Sequence, residues 1–546
     1  MRISTIQGRV LAALSSVALV ATVVVASPAH AAAVAPQCDG KVPVSSCAGA
    51  TSDGAPFAMQ VPANFNGTVI LWSHGYRPNV AVPAGIPGYG GYTVKNTPET
   101  AGGQQGGDFA ATNYLLSQGY ALMGSGFARQ GWNLDSALAT NVELVSTFKT
   151  QFPKTTRVLA WGNSLGGIIT QVLAEKYPTL VSAVAPLCMA DNIAPELTAA
   201  GDFLWGVKTL FNPAIKGGNY SAGAAGYVEA MTDLKLFFTV LGELQANMAT
   251  GKWPSTSSPA GKALEAAGIP SRSALLLLGL AAGIPTQSAH FDSISGPEGA
   301  LKLSFPLAVS PALAILENGA NSGALAVLAL SDVEAQVGGA VFDNTKTDYS
   351  ARVADSAVVF NAALSGNTAI NAMLGVLATA PRAAANADAA AKLAKLAATT
   401  GKVNVPTIMM VGVADPITPA GATQRIVDAY AEQKAAEKAA AIAEAKSSKN
   451  YTAPVNKLAV LWGTTPKSWT TFDENGAPVT TAAGAPGTGH CNFSSAQWIA
   501  AAKLLVASAN AGQIPNGGLV ANTARRAGNL SVDKYFRAPL LKYYNE

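Results

Sequence analysis

Charge is scarce in this chain. Asp, Glu, Lys and Arg make up 12% of its 546 residues, about half the share of an ordinary soluble domain. The formal net charge is only +4, with no concentrated basic stretch, so nucleic acid and anionic surfaces are excluded as expected partners. Histidine is scarcer still, with four in the whole chain. The four cysteines contain no C-x-x-C pair and have few histidines to help them, so no metal centre is expected. No organic cofactor is expected either. Beyond residue 192, every long apolar run is broken by Gly, Pro or a polar residue before reaching the roughly 20 residues of a membrane span. No stable membrane span is expected. The length allows one large elaborated domain or two, and no feature sets an oligomeric state.

What is present begins with an export signal. Arg2 and Arg9 flank the start of an apolar stretch, Val10 to Ala26, and Ala29-His30-Ala31 fits a small-x-small cleavage site. Residues 1–31 are read as a secretory signal peptide, in preference to a retained anchor. No lipobox cysteine sits at the cleavage point. The product is expected to be soluble and secreted, to the medium or the periplasm.

The centre of the chain is Thr156 to Gly167, TRVLAWGNSLGG. Arg157 to Trp161 suits a buried parallel strand, and IITQVLAEKY suits the helix that follows. Between them lies G-x-S-x-G, Gly162 to Gly166, at the strand-to-helix turn that the motif requires. The turn needs Ser164 in a strained conformation, and side chains at 162 or 166 would crowd it. Its hydroxyl is then exposed above the sheet edge, next to the unpaired N–H groups of a helix start.

Strand and helix patterns alternate across residues 67–191, which argues for a mostly parallel sheet with helices on both faces. After an irregular start, Ala55 to Val61 and Gly67 to Ser73 read as strands, and residues 78–107 as a long Gly/Pro-rich loop. Residues 193–402 read as a mainly helical, apolar insertion, including an alanine-rich helix over Ala380 to Ala397 with Lys392 and Lys395 on it. The strand pattern returns at Pro406 to Val413. The expected organisation is a core of 32–192 and 403–510, a helical cap or lid of 193–402, and a loose tail of 511–546. The even cysteine count in an exported chain favours disulfides, with three pairings open. Cys38 with Cys47 would staple the N-terminal loop, leaving Cys188 with Cys491. Both of the latter belong near the C-terminal edge of one sheet, where a bond would hold the loop of His490.

Ser164 needs a base, because an alcohol is a weak nucleophile at neutral pH. After the leader, only His74, His290 and His490 remain. His490 lies in a glycine-rich loop between the last strand and the final helix and is the expected base. His74 is read as structural, and His290 as part of the insertion. Asp415, with one residue between it and PTIMMVGV, is the expected acid that holds the imidazole; Asp135 and Asp191 are weaker substitutes. Leu165 N–H and Tyr76 N–H are the expected oxyanion donors. The order Ser164, Asp415, His490, with HGY, GNSLGG, GVADPITP and GTGHC on these elements, resembles the α/β-hydrolase superfamily over about residues 55–192 and 403–510. That resemblance implies an α/β-hydrolase fold with Ser164, Asp415 and His490 as triad, and Tyr76 and Leu165 as similar to its oxyanion positions. A serine nucleophile is unlike the dehalogenases, and no HGGG loop is present. Cys491 beside His490 is similar to tannase and feruloyl-esterase relatives. Those pair that cysteine with one next to the serine, which this chain lacks.

The expected function is hydrolysis of carboxylic esters through an acyl-enzyme, on small-molecule or polymeric substrates with a lipophilic or aromatic acyl group. The alternative is a peptidase or amidase of the same fold, with Glu229, Asp233 and Glu243 as scattered candidates for amine binding. A transferase and a catalytically inert binding protein are further readings, the last opposed by the intact Ser-Asp-His set.

Overall fold

The structure, a computed structural model, describes residues 33–103, 108–296, 309–396, 399–448, 451–473, 477–480 and 484–540. The expected leader, 1–31, lies outside the described residues. Three antiparallel strands come first: β1 (Val34–Cys38), β2 (Val44–Ala50) and β3 (Pro56–Pro62). The first two replace the irregular start expected from sequence. VAPQC and VSSCAGA lack the alternation that marks a strand. Their order comes instead from pairing with β3 and from the Cys38–Cys47 bond between facing residues.

Next come β4 (Thr68–Ser73), α1 (Ala110–Ser117), β5 (Ala121–Ser125), α2 (Leu134–Gln151), β6 (Arg157–Asn163), α3 (Leu165–Lys176) and β7 (Ala183–Leu187). Alternate residues of β4 face opposite cores. Val69 and Leu71 pack with Phe148 of α2 and Ile168 of α3, whereas Ile70 and Trp72 pack with Leu115 of α1. A strand buried on both faces reads as an unbroken apolar run, and TVILWS is nearly one.

Eight helices follow: α4 (Ile193–Leu210), α5 (Gly223–Ala246), α6 (Pro259–Ala266), α7 (Ser271–Ala282), α8 (Ser310–Val337), α9 (Tyr349–Val359), α10 (Asn367–Thr379) and α11 (Ala387–Leu396). The last is shorter than the alanine-rich run. Pro381 interrupts it, and Arg382 is held over the Trp205 and Tyr349 rings. Among the described residues, α8 is the one helix long and apolar enough to cross a membrane, but 78% of its apolar window is buried inside the protein. It packs against α4, α5 and α7, the behaviour of a core helix.

The chain closes with β8 (Thr407–Gly412), α12 (Ala420–Ser448), β9 (Leu458–Gly463), a small hairpin of β10 (Thr471–Phe472) and β11 (Pro478–Val479), α13 (Ser495–Ala511), α14 (Gly517–Ala527) and β12 (Leu530–Ser531). Within the tail expected to be loose, the described residues up to 540 include a helix and a short strand. Asn516 caps α14, β12 pairs with β9, and Phe536 meets Trp462 edge-on at 4.9 Å. All strands but the hairpin join one ten-stranded sheet, β1-β2-β3-β5-β4-β6-β7-β8-β9-β12. The six from β5 to β9 in that order run parallel. The fold is thus mixed α/β with a mostly parallel sheet, and the C-terminal ends of β4, β6, β7 and β8 open on one edge.

The helical block has its own buried polar knot. Asp202 of α4 pairs with Arg352 of α9 at 2.5 Å and accepts the Tyr349 hydroxyl at 2.5 Å, while the Tyr349 ring stacks on Trp205. Removing one member of a buried ion pair costs about 3–5 kcal/mol. Asp202→Ala should lose about that much stability in denaturant unfolding, and an unchanged midpoint would contradict this account of the block.

Candidate active site

Ser164 stands between β6 and α3 with φ 55° and ψ −124°. This conformation is uncommon for a residue with a side chain. Two glycines make it possible by close approach. A Cβ on Gly162 would come 2.3 Å from the Gly166 oxygen, and one on Gly166 would come 1.9 Å from the Ser73 oxygen. The serine N–H donates to Leu187 O at 3.0 Å, which anchors the turn to the end of β7. Leu165 opens α3, where N–H groups lack helical partners.

Asp415 leaves the end of β8 and is 1% exposed. Four N–H groups converge on its carboxylate: Ile417 N at 2.9 Å, Thr418 N at 3.0 Å, Cys491 N at 3.2 Å and His490 Nδ1 at 3.0 Å. A proton on Nδ1 leaves Nε2 of His490 as an acceptor; it lies 3.5 Å from Cys491 Sγ, a disulfide sulfur with no proton to donate. Cys491 is bonded to Cys188, so the histidine loop is tied covalently to the residue after β7. Thr418 adds a second tie, donating its hydroxyl to Cys188 O at 2.8 Å. Among the described residues, no hydrogen bond joins Ser164 Oγ to His490. Such bonds are often loose before substrate binds.

Ser164, Leu165 and Tyr76 line one pocket, whose empty space, open solvent included, is about 810 Å³. Its walls are largely apolar and come from α4, α7, α8 and the segment after Asp415. Tyr76 donates its hydroxyl to Asp332 of α8 at 3.4 Å, and burial and that carboxylate push the phenol's pKa well up. Asp332 also accepts from Asn79 at 2.8 Å, from Trp132 N at 2.6 Å and from Gln336 at 2.9 Å. A helix 256 residues away thus fixes the loop expected to supply an oxyanion donor. Sequence reasoning missed Asp332, and the available signal was one carboxylate on a long apolar helix. It also missed Glu196 of α4, a pocket-lining carboxyl. Burial, together with the charges of Asp191 and Asp415, pushes its pKa well up.

The substitutes for the acid are committed elsewhere: Asp135 pairs with Arg129, and Asp191 with Arg425. His290 pairs with Glu317 at 2.9 Å. The candidate amine-binding carboxylates do not line the pocket. Glu229 binds Lys216, Asp233 accepts from the Lys216 and Gly217 N–H groups, and Glu243 accepts from Ser255.

His74 is buried after β4, with Nδ1 donating to Gly75 O at 2.7 Å and Nε2 without a partner. Burial, aided by the nearby Arg77 charge, pushes its pKa down to about 4. In the unfolded chain it returns to about 6.5. Between those values the unfolded state binds a proton that the folded state refuses, so stability falls as pH drops from about 6.5 to 4. The full difference is about 3 kcal/mol. His74→Gln should flatten the pH dependence of unfolding free energy in that window; an unaltered slope would contradict the assignment.

No family model and no curated protein matches this chain. Partial similarity to solved structures is found. Feruloyl esterase B from Aspergillus oryzae aligns at 13% identity and TM-score 0.31, over 77% of this chain and 72% of that one. The rice cell wall degrading esterase LipA from Xanthomonas oryzae aligns at 13% and 0.28, over 76% and 82%. The Pyrococcus furiosus esterase Pf2001 aligns at 14% and 0.20, over 36% and 63%, so this chain spans less than two thirds of its length.

Proposed function

We propose that this chain is an exported serine hydrolase of the α/β-hydrolase type, cleaving carboxylic esters through an acyl-enzyme. One observation carries the reading. A serine held at positive φ by glycine contacts lines an apolar pocket, and a buried carboxylate presents an imidazole from the strand end two positions along the same sheet edge. In this reading Ser164 Oγ attacks the ester carbonyl as His490 Nε2 takes its proton. Asp415 steadies the resulting imidazolium through Nδ1. Leu165 N–H and Tyr76 N–H receive the negative oxygen. Collapse of the adduct breaks the bond to the alcohol, which leaves with the proton from Nε2. Water, deprotonated by the same nitrogen, then releases the acid and regenerates the serine.

The pocket walls favour a lipophilic or aromatic group, borne by a small or polymeric ester. Glu229, Asp233 and Glu243 are engaged in loop contacts, which supports the ester reading over the peptidase alternative. Residues 193–402 act in this reading as a cap that supplies most of the pocket wall. Two disulfides, Cys38–Cys47 and Cys188–Cys491, fit an oxidising compartment.

Ser164→Ala should retain the fold, lose turnover by at least about 10³-fold and lose covalent labelling by a fluorophosphonate. Labelling that persists in this variant refutes the assignment. Across p-nitrophenyl esters and aminoacyl-p-nitroanilides, the wild type should favour the esters, and preference for the anilides would overturn the ester reading. Replacing both Cys188 and Cys491 by alanine should lower kcat roughly tenfold or more, because His490 is then less firmly positioned. An unchanged kcat would show that the bond is dispensable there.

A further inference from the structure

The pocket beside Ser164 holds one polar group that the fold leaves partly uncommitted. Apart from the serine, five lining side chains carry polar atoms: Tyr76, Trp132, Glu196, Ser322 and Thr418. Four are engaged with other parts of the protein. Tyr76 donates to Asp332, Trp132 Nε1 to Leu396 O at 3.2 Å, Ser322 to Pro416 O at 2.8 Å and Thr418 to Cys188 O at 2.8 Å. Glu196 differs. Its Oε1 accepts Asp191 N–H at 3.0 Å, and among the described residues Oε2 takes no hydrogen bond and the carboxyl forms no ion pair. Arg425 is committed to Asp191. At the start of α4 the Asn192 side chain caps Ala194 N and Glu196 Oε1 takes the Asp191 N–H, so Oε2 has no part in closing the helix end.

We infer that Glu196 is a specificity-determining residue of this pocket, donating a hydrogen bond from its carboxyl to an acceptor oxygen on the apolar arm of the substrate. The inference rests on the serine-hydrolase reading and narrows it. The substrate class becomes lipophilic esters that carry an ether, carbonyl or hydroxyl oxygen along that arm, rather than plain alkyl esters. An ionised carboxyl in an apolar wall is costly without a cation. Desolvation at the pocket wall, with the carboxylates of Asp191 and Asp415 nearby, pushes the Glu196 pKa well up, which favours the protonated form that can donate. A donor in an apolar pocket discriminates well, because a ligand lacking the acceptor leaves it unpaired.

The test uses p-nitrophenyl octanoate, its oxa analogues with one methylene beyond the β carbon replaced by oxygen at successive positions, and the ω-aminooctanoate. Rates are normalised to alkaline hydrolysis of each ester. Wild type should favour one oxa position over octanoate by roughly fivefold in kcat/KM, mainly through KM. Glu196→Gln, which keeps an N–H donor, should retain that preference, and Glu196→Leu should lose it. Glu196→Met replaces the leucine variant if that one does not fold. No favoured position in the wild type, or the same preference in the apolar variant, overturns the inference and leaves the hydrolase reading standing. Preference for the ω-amino ester overturns it too, since the carboxyl then binds a cation. A wild type that hydrolyses none of these esters defeats both readings together.

Discussion

The constraint on which the site depends is the burial of the Asp415 carboxylate. A carboxylate taken out of water must be met by donors, and here they come from two directions. Ile417 and Thr418 belong to its own turn, whereas His490 and Cys491 arrive from the loop before α13. The same group therefore closes the turn after β8 and fixes the imidazole. Those roles are not alternatives: the turn contacts hold the carboxylate in place, so that it presents its remaining lone pairs to Nδ1. The Cys188–Cys491 bond and the Thr418 contact to Cys188 O then join this assembly to the end of β7. Ser164 N–H is anchored to Leu187, the neighbouring residue. Three distant stretches of chain thus share one small region of the sheet edge.

The parts of this arrangement legible in the sequence are those governed by local rules. GNSLGG announces its turn because close backbone packing tolerates only glycine at 162 and 166. TVILWS and PTIMMVGV announce buried parallel strands because both faces must be apolar. Asp415 and His490 follow from chain order once the strands are placed. What escaped was set by partners far along the chain. VSSCAGA has little strand character by itself and becomes β2 through pairing with β3. The segment after residue 512 becomes α14 and β12 because β9 leaves an open edge and Asn516 caps a helix. The run Ala380 to Asn386 has high helix propensity, yet Pro381 and the stacking of Arg382 on Trp205 and Tyr349 override it.

The helical block between β7 and β8 is not a passive cover. It holds itself together through the Asp202–Arg352 pair. Through Asp332, it also reaches the loop of Tyr76 and the Trp132 backbone. Hydrophobic periodicity identifies a helix but not the rare polar residue that orients a loop 256 positions away. Glu196 was hidden for a related reason: at a helix start an acidic residue reads as a favourable interaction with the helix dipole. Only the folded pocket shows that one of its oxygens remains uncommitted.

The central claim is that one presented hydroxyl and one carboxylate-bound imidazole act on the same bond. A crystal structure of the protein after reaction with a fluorophosphonate tests this most directly. The account requires phosphorus on Ser164 Oγ, its phosphoryl oxygen facing the N–H groups of Leu165 and Tyr76, and His490 Nε2 within hydrogen-bond reach of the adduct. An adduct on another residue, or a His490 ring turned away from phosphorylated Ser164, would contradict it.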